Sequence, residues 1–211
     1  MTGPGWQVSD FSKRRLKKRY RRERRMKVVG ILAIVIALGV LAVLMGSVLA
    51  RGYPAFVKTE IALEVTLEAA LIDPNGTGET SILAKGQYGK IIRNALFDAF
   101  PDVVERTEKR QLIGLMSKGA RFELRRIVTR DPNLVGTVQR VWLTASSDVD
   151  MITKGSLRRD VPEAERRLND RQLGWLDSFE VAQDLRTVFN GQFFTGSDSR
   201  EPELAGIGGA L

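Results

Sequence analysis

Two stretches of the 211-residue chain combine residue types that can hold a ligand. In "SSDVD" (Ser146, Ser147, Asp148 and Asp150) two hydroxyls and two carboxylates stand close together, and such oxygens suit a hard cation. The run lacks the glycine and the terminal glutamate of a calcium loop, so a capped turn or solvated loop is the expected reading. "GSDSREPE" (196–203) is equally polar but turn-rich, and reads as a linker. Asn75-Gly76-Thr77 has the spacing of a glycosylation acceptor, yet inside "DPNGT" the same residues are those of a tight turn. No Walker loop and no Rossmann glycine pattern occurs. Histidine and cysteine are absent from the whole chain. That removes disulfides, thiolate zinc sites, the usual imidazole ligands and the commonest general base, and leaves carboxylate, Ser, Lys or Tyr chemistry. Carboxylates are plentiful, but none stands in a recognisable catalytic context. No catalytic residue, metal ligand or cofactor is therefore assigned, and the chain reads as a protein that is not an enzyme.

The strongest pattern is one of charge and hydropathy. "SKRRLKKRYRRERRMK" (12–27) holds eleven Lys or Arg and one acid, Glu23. The chain carries 33 basic and 25 acidic residues, a net +8. Residues 1–27 have eleven bases against Asp10 and Glu23, or +9, so residues 28–211 hold 22 bases and 23 acids, or −1. The high isoelectric point comes from the tail alone, whereas a nucleic-acid-binding domain spreads its basic surface over a folded face. Tyr20 is the one stacking aromatic within the run, and no nucleic-acid partner is expected.

Directly after Lys27 come 23 uncharged residues, Val28 to Ala50. As a helix they measure about 34 Å, enough to cross a hydrocarbon core of ~30 Å. Val48-Leu49-Ala50 resembles a signal-peptide cleavage site, but the apolar run is longer than a signal core and sits behind a long basic region, so an uncleaved anchor is expected. Gly39, Ala42, Gly46 and Ala50 recur at helical spacing and form a small-residue stripe on which another helix can pack in lipid. The positive-inside rule places the tail (1–27) in the cytoplasm, the span at 28–50 and the remainder outside. Tyr53 and Phe56 fall where interfacial aromatics sit. Attraction of the tail to anionic membrane lipid is the use of its charge that this arrangement favours.

Residues 51–200 are long enough for one compact domain. "EIALEVTL" alternates Ile61, Leu63, Val65 and Leu67 with polar or small residues and predicts a half-buried strand, followed by a turn at 73–76. Tyr88, Ile91, Ile92, Ala95, Leu96 and Ala99 predict a helix ending at Phe100-Pro101. Further helices are expected at 102–117, over "RFELRRIVTR" up to Asp131-Pro132, from an Asp160 cap with Pro162 in the first turn, and from Asn169-Asp170 with Leu173, Leu176 and Phe179 on one side. Strands are expected at 137–145 and 185–194. The expected fold is α+β: a single N-terminal transmembrane helix followed by a small mixed domain of three or so strands and four or five helices.

The order of these features, with "RGYPAF" at the outer end of the span, "DRQLGWLD" and the closing "TVFNGQFFTGSDSREPELAGI", resembles the N-terminal extension of the phosphate ABC transporter permease family PstA in its longer bacterial form. The likeness runs over essentially all of the chain, and "FFTGSDSREPELAGI" is its most specific part. It implies a membrane component of a phosphate importer in the bacterial inner membrane, with an extracytoplasmic accessory domain of no agreed role. The implied partners are other permease spans or subunits, an extracytoplasmic (periplasmic) phosphate-binding protein and, through the permease core, an ATPase subunit. In the family "EPELAGI" leads into a second span, so residues 201–211 are expected to be a linker toward it, and the sequence ends at Leu211 as the front of a longer permease or as a truncated product. The alternative is an independent single-pass protein whose outer domain is a sensor or adaptor.

Overall fold

The computed structural model describes residues 10–195 together with 206 and 208. The chain separates into two units at Gly52–Tyr53. The first is a single helix, α1 (Asp10–Gly52), which continues from the basic run into the apolar one without a break. Charge and hydropathy change at Lys27, but backbone propensity does not. Leu, Ala, Arg and Lys are all good helix formers, and the β-branched residues of the span are tolerated where nothing competes for the backbone hydrogen bonds.

The second unit is built on a three-stranded antiparallel sheet of order β2-β1-β3, comprising β1 (Val57–Thr66), β2 (Val138–Thr144) and β3 (Leu185–Phe189). β1 is central: Ile61 stands opposite Leu143 on one side and Leu185 on the other. The odd-numbered residues of β1 form the apolar face, on which α4 (Tyr88–Ala99) packs, with α6 (Ala120–Arg130) against α4 and β2. Tyr88, Ile91, Ile92, Ala95 and Leu96 recur at helical spacing and all are buried, which is why α4 forms there and which way it faces. Ile61, Val65, Leu96, Leu124 and Leu143 are completely buried at the centre of this core. The strand is less one-sided than alternation predicts, because Glu60 and Ala62 of the second face are buried too. A central strand has neighbours on both edges, and here polar side chains of those neighbours cover its second face.

The remaining segments are α2 (Ala69–Ile72), α3 (Thr80–Leu83), α5 (Arg106–Ile113), α7 (Ser147–Thr153), α8 (Asp170–Val181) and α9 (Gln192–Thr195). Three expectations are corrected. The helix expected at 102–117 is confined to α5. Val103 is buried outside the helix, with its N–H donating to the Phe100 carbonyl, and beyond Gly114 residues 115–117 are drawn into extended bonding with 144–146, including a Met116–Ala145 bridge. The helix expected from Asp160 is a single 3-10 turn, Glu163–Glu165; the Asp160 carboxylate takes a bidentate pair from Arg158 and leaves the amides uncapped. The strand expected to run to residue 194 ends at Phe189, because Asn190-Gly191 turns the chain and directs Phe193 and Phe194 back to Phe56. The Asn169 start is as expected: its side chain accepts from the Gln172 N–H while the Gln172 side chain accepts from the Asn169 N–H, a full capping box. Trp175, which the sequence reading passed over, joins Leu176 and Phe179 as the buried face of α8.

Candidate functional site

The apolar part of α1 is the largest unburied feature of the first unit. Its large aliphatic side chains from Val28 to Leu49 are each between 53% and 74% exposed, far beyond the isolated apolar residues of an ordinary protein surface. The segment is long and apolar enough to cross a membrane. Gly39, Ala42, Gly46 and Ala50 fall on one side of it, all exposed, and a Cβ added at Gly39 or Gly46 would meet nothing within 4 Å. The helix surface there is low and open.

In the second unit the "SSDVD" residues do not assemble a cation site. Ser146 stands at the N-cap of α7, and the rest of the run forms its first turn. Asp148 pairs with Arg167 at 3.1 Å. Asp150 is buried, accepts from the Thr59 N–H at 2.7 Å and pairs with Lys154. The Lys154 ammonium also donates to the carbonyls of Pro54, at 2.8 Å, and Val57. This aspartate therefore serves as the counter-ion of a lysine that ties down the first residues of the domain. Among the described residues no three carboxylates converge as a metal site requires.

Asp73, in the expected turn, accepts from the Gly78 N–H at 2.6 Å and from the Thr77 hydroxyl. Those bonds, the Gly78 amide foremost, hold its carboxyl below the ordinary value. Gly76 and Gly78 have φ of 64° and 65°, a conformation that favours glycine, so the sequon residues are set in a tight loop. Of the two expected interfacial aromatics, Tyr53 is exposed, while Phe56 is half-buried against Phe193 and Phe194 at ring distances of 5.1 and 6.0 Å.

The sequence reading missed a charged cluster on the second face of the sheet. Lys58 and Glu60 are two apart on β1 and so share a face, where register brings Thr144 and Arg186 beside Glu60. The Lys58 ammonium lies 3.0 Å from Glu60, 3.1 Å from Glu123 of α6 and 2.8 Å from the Thr144 hydroxyl. Arg186 donates to Glu60 through Nε and Nη2, and its guanidinium lies 3.9 Å from the Trp142 ring centroid. Glu123 takes the Thr144 N–H at 2.8 Å, satisfying an edge amide of β2. Burial alone would raise the Glu60 carboxyl, but the hydrogen bonds from Arg186 and Lys58 outweigh it and hold that group below its ordinary value. The signal in sequence was the polar pair Lys58 and Glu60 at alternate positions of an otherwise apolar strand. Every charge in the cluster has an opposite partner, and this is the pattern of a structural network.

One apolar helix of membrane-spanning length, carrying a small α+β domain with no metal cluster among the described residues, defines a class: a domain attached to a single candidate membrane anchor. The family profile described as a domain of unknown function, DUF3333, matches residues 13–163, and the chain belongs to that family. The match covers the tail, the apolar helix and the domain as far as the 3-10 turn, and stops short of α8 and β3. No curated protein and no solved structure is significantly similar to the chain.

Proposed function

We propose that the chain is the N-terminal part of the permease subunit of an ABC-type phosphate importer. In this reading residues 28–50 anchor it in the bacterial inner membrane, the basic tail lies in the cytoplasm, and residues 51–211 are extracytoplasmic, with 51–200 as the accessory domain. The observation that carries the reading is the order of segments in the chain: eleven cations, then 23 uncharged residues, then a near-neutral domain closed by "FFTGSDSREPELAGI". Most of that closing motif, with the expected linker 201–211, lies outside the described residues apart from 206 and 208. The bare small-residue stripe on α1 offers other permease spans a surface for close approach. The physical case for orientation is electrostatic, since eleven cations on one side of a span resist translocation.

In-frame deletion of residues 55–195 from the chromosomal gene, followed by phosphate-uptake measurement, tests the reading. A drop in uptake with the rest of the subunit still in the membrane is the expected outcome. Unchanged uptake and unchanged assembly would remove it in favour of an independent single-pass sensor or adaptor.

A further inference from the structure

We infer that the groove between α4, α5, α6 and the start of α7 is a binding site for an anion of the phosphate class. The cavity has a volume of 440 Å³, and three arginines from three different helices line it: Arg93 of α4, Arg110 of α5 and Arg121 of α6. None of the three has an ion-pair partner among the described residues. Like charges converge here at an electrostatic cost, and an anion relieves it.

Four further observations favour an oxyanion. Among the described residues the one acid on the cavity wall, Asp148, is already neutralised by Arg167. Ser146 lines the cavity too, and its hydroxyl has no hydrogen-bond partner among the described residues. One of the three guanidinia is braced, since Phe122 lies under Arg121 at 4.6 Å and also under the neighbouring Arg125 at 5.2 Å. Finally, Arg93 and Arg121 continue into an adjoining cavity of 390 Å³ that Lys90 and Arg125 also line. Planar guanidinium forks match two oxygens of one phosphate, and several of them on different helices recognise its tetrahedral charge better than they do a single planar carboxylate. A chain with a helix of membrane-spanning length meets this chemistry in two forms, free phosphate and phosphate-bearing lipid headgroups. The inference does not depend on the importer reading, because an accessory domain and a sensor could each use such a groove.

The test is calorimetric titration of the full chain, reconstituted in phosphatidylcholine nanodiscs, at constant ionic strength. Inorganic phosphate is the first probe and monomeric dihexanoyl phosphatidic acid the second. The comparison variant is Arg93→Gln/Arg121→Gln; it retains the basic tail, so any binding to the tail cancels between the two proteins. A saturable response to inorganic phosphate, weakened at least tenfold in the variant, assigns the groove to the free anion. A response to the lipid alone, weakened in the same way, assigns it to headgroups. Absence of both responses, or binding equal in the two proteins, overturns the proposal. Because both arginines are exposed, the variant is expected to fold. Arg93→Lys/Arg121→Lys provides a second check, as it keeps the charge but loses the fork and should bind with intermediate affinity.

Discussion

Lys58 and Arg93 are both cations of the α+β domain, and they keep different electrostatic company. Lys58 has a side chain only 14% exposed and lies within 3.1 Å of two carboxylates. Arg93 is exposed, shares its cavity with Arg110 and Arg121, and has no acid of its own among the described residues. The basic tail is a third case, in which eleven cations act through their number and their position next to the apolar run. A buried cation must be matched, because an ion without its partner in a poorly hydrated interior costs several kcal/mol. An exposed cation is free to remain unmatched at small cost, and it is then available to something outside the chain. Matching therefore separates charge that holds the domain together from charge that can recognise a ligand.

The matched side of this contrast should break most severely. Lys58→Met leaves Glu123 without a cation and Glu60 with Arg186 alone, and is expected to cost about 3–5 kcal/mol of unfolding free energy. Denaturant titration of the full chain in nanodiscs, followed by near-ultraviolet circular dichroism of the domain aromatics, measures it. Adding Glu123→Gln should restore part of the loss, since the carboxylate left without a cation is then removed. A loss below about 1 kcal/mol for the single substitution would show that water reaches the cluster and that it behaves as a surface ion pair.

Acid is the gentler way to open the same cluster. Glu60 is held below its ordinary 4.5 in the native state, so its contribution is complete above that value. It is lost as pH falls through the lowered native value, because the unfolded chain takes up the proton first. The denaturation midpoint should thus decline on acidification below pH 4.5, and Glu60→Gln should flatten that part of the profile. Asp73 is shifted the same way and adds to the slope, so the test is the difference between wild type and Glu60→Gln. Identical profiles would mean that Glu60 gains nothing from Arg186 and Lys58.

How far this contrast is legible in sequence depends on the scale of reading. The apolar run and the α4 stripe are local periodicities, and both stand in the structure where the residues place them. The shortened helix at 106–113 was not legible, because what ends it is a bridge to residues 144–146, remote in sequence. The same holds for Asp150, whose partner Thr59 lies 91 residues away. The groove was hidden by averaging. Residues 28–211 sum to −1, yet residues 85–126 alone hold ten bases against five acids. A windowed count would have flagged the segment, but only folding shows that Arg93, Arg110 and Arg121 from three helices meet in one cavity while most acids of the domain are engaged elsewhere.

The unmatched side yields the smallest effect, and its sign is what matters. Replacing Arg110 with Gln removes one cation from a cluster of like charges and breaks no ion pair among the described residues, so without ligand it should leave stability within about 0.5 kcal/mol of wild type. At low ionic strength the change should be slightly stabilising, because repulsion from Arg93 and Arg121 is reduced. Salt screens that repulsion, with a Debye length of ~10 Å at 0.1 M and ~3 Å at 1 M, so the gain should vanish as salt is added. Chemical denaturation of the full chain at several sodium chloride concentrations reads both the sign and its salt dependence. A destabilisation of 1 kcal/mol or more at low salt would mean that Arg110 has a structural partner, and the groove would then belong with the matched charge that holds the domain together. Unchanged or slightly raised stability, fading with salt, keeps the two kinds of charge apart, as the contrast between Lys58 and Arg93 requires.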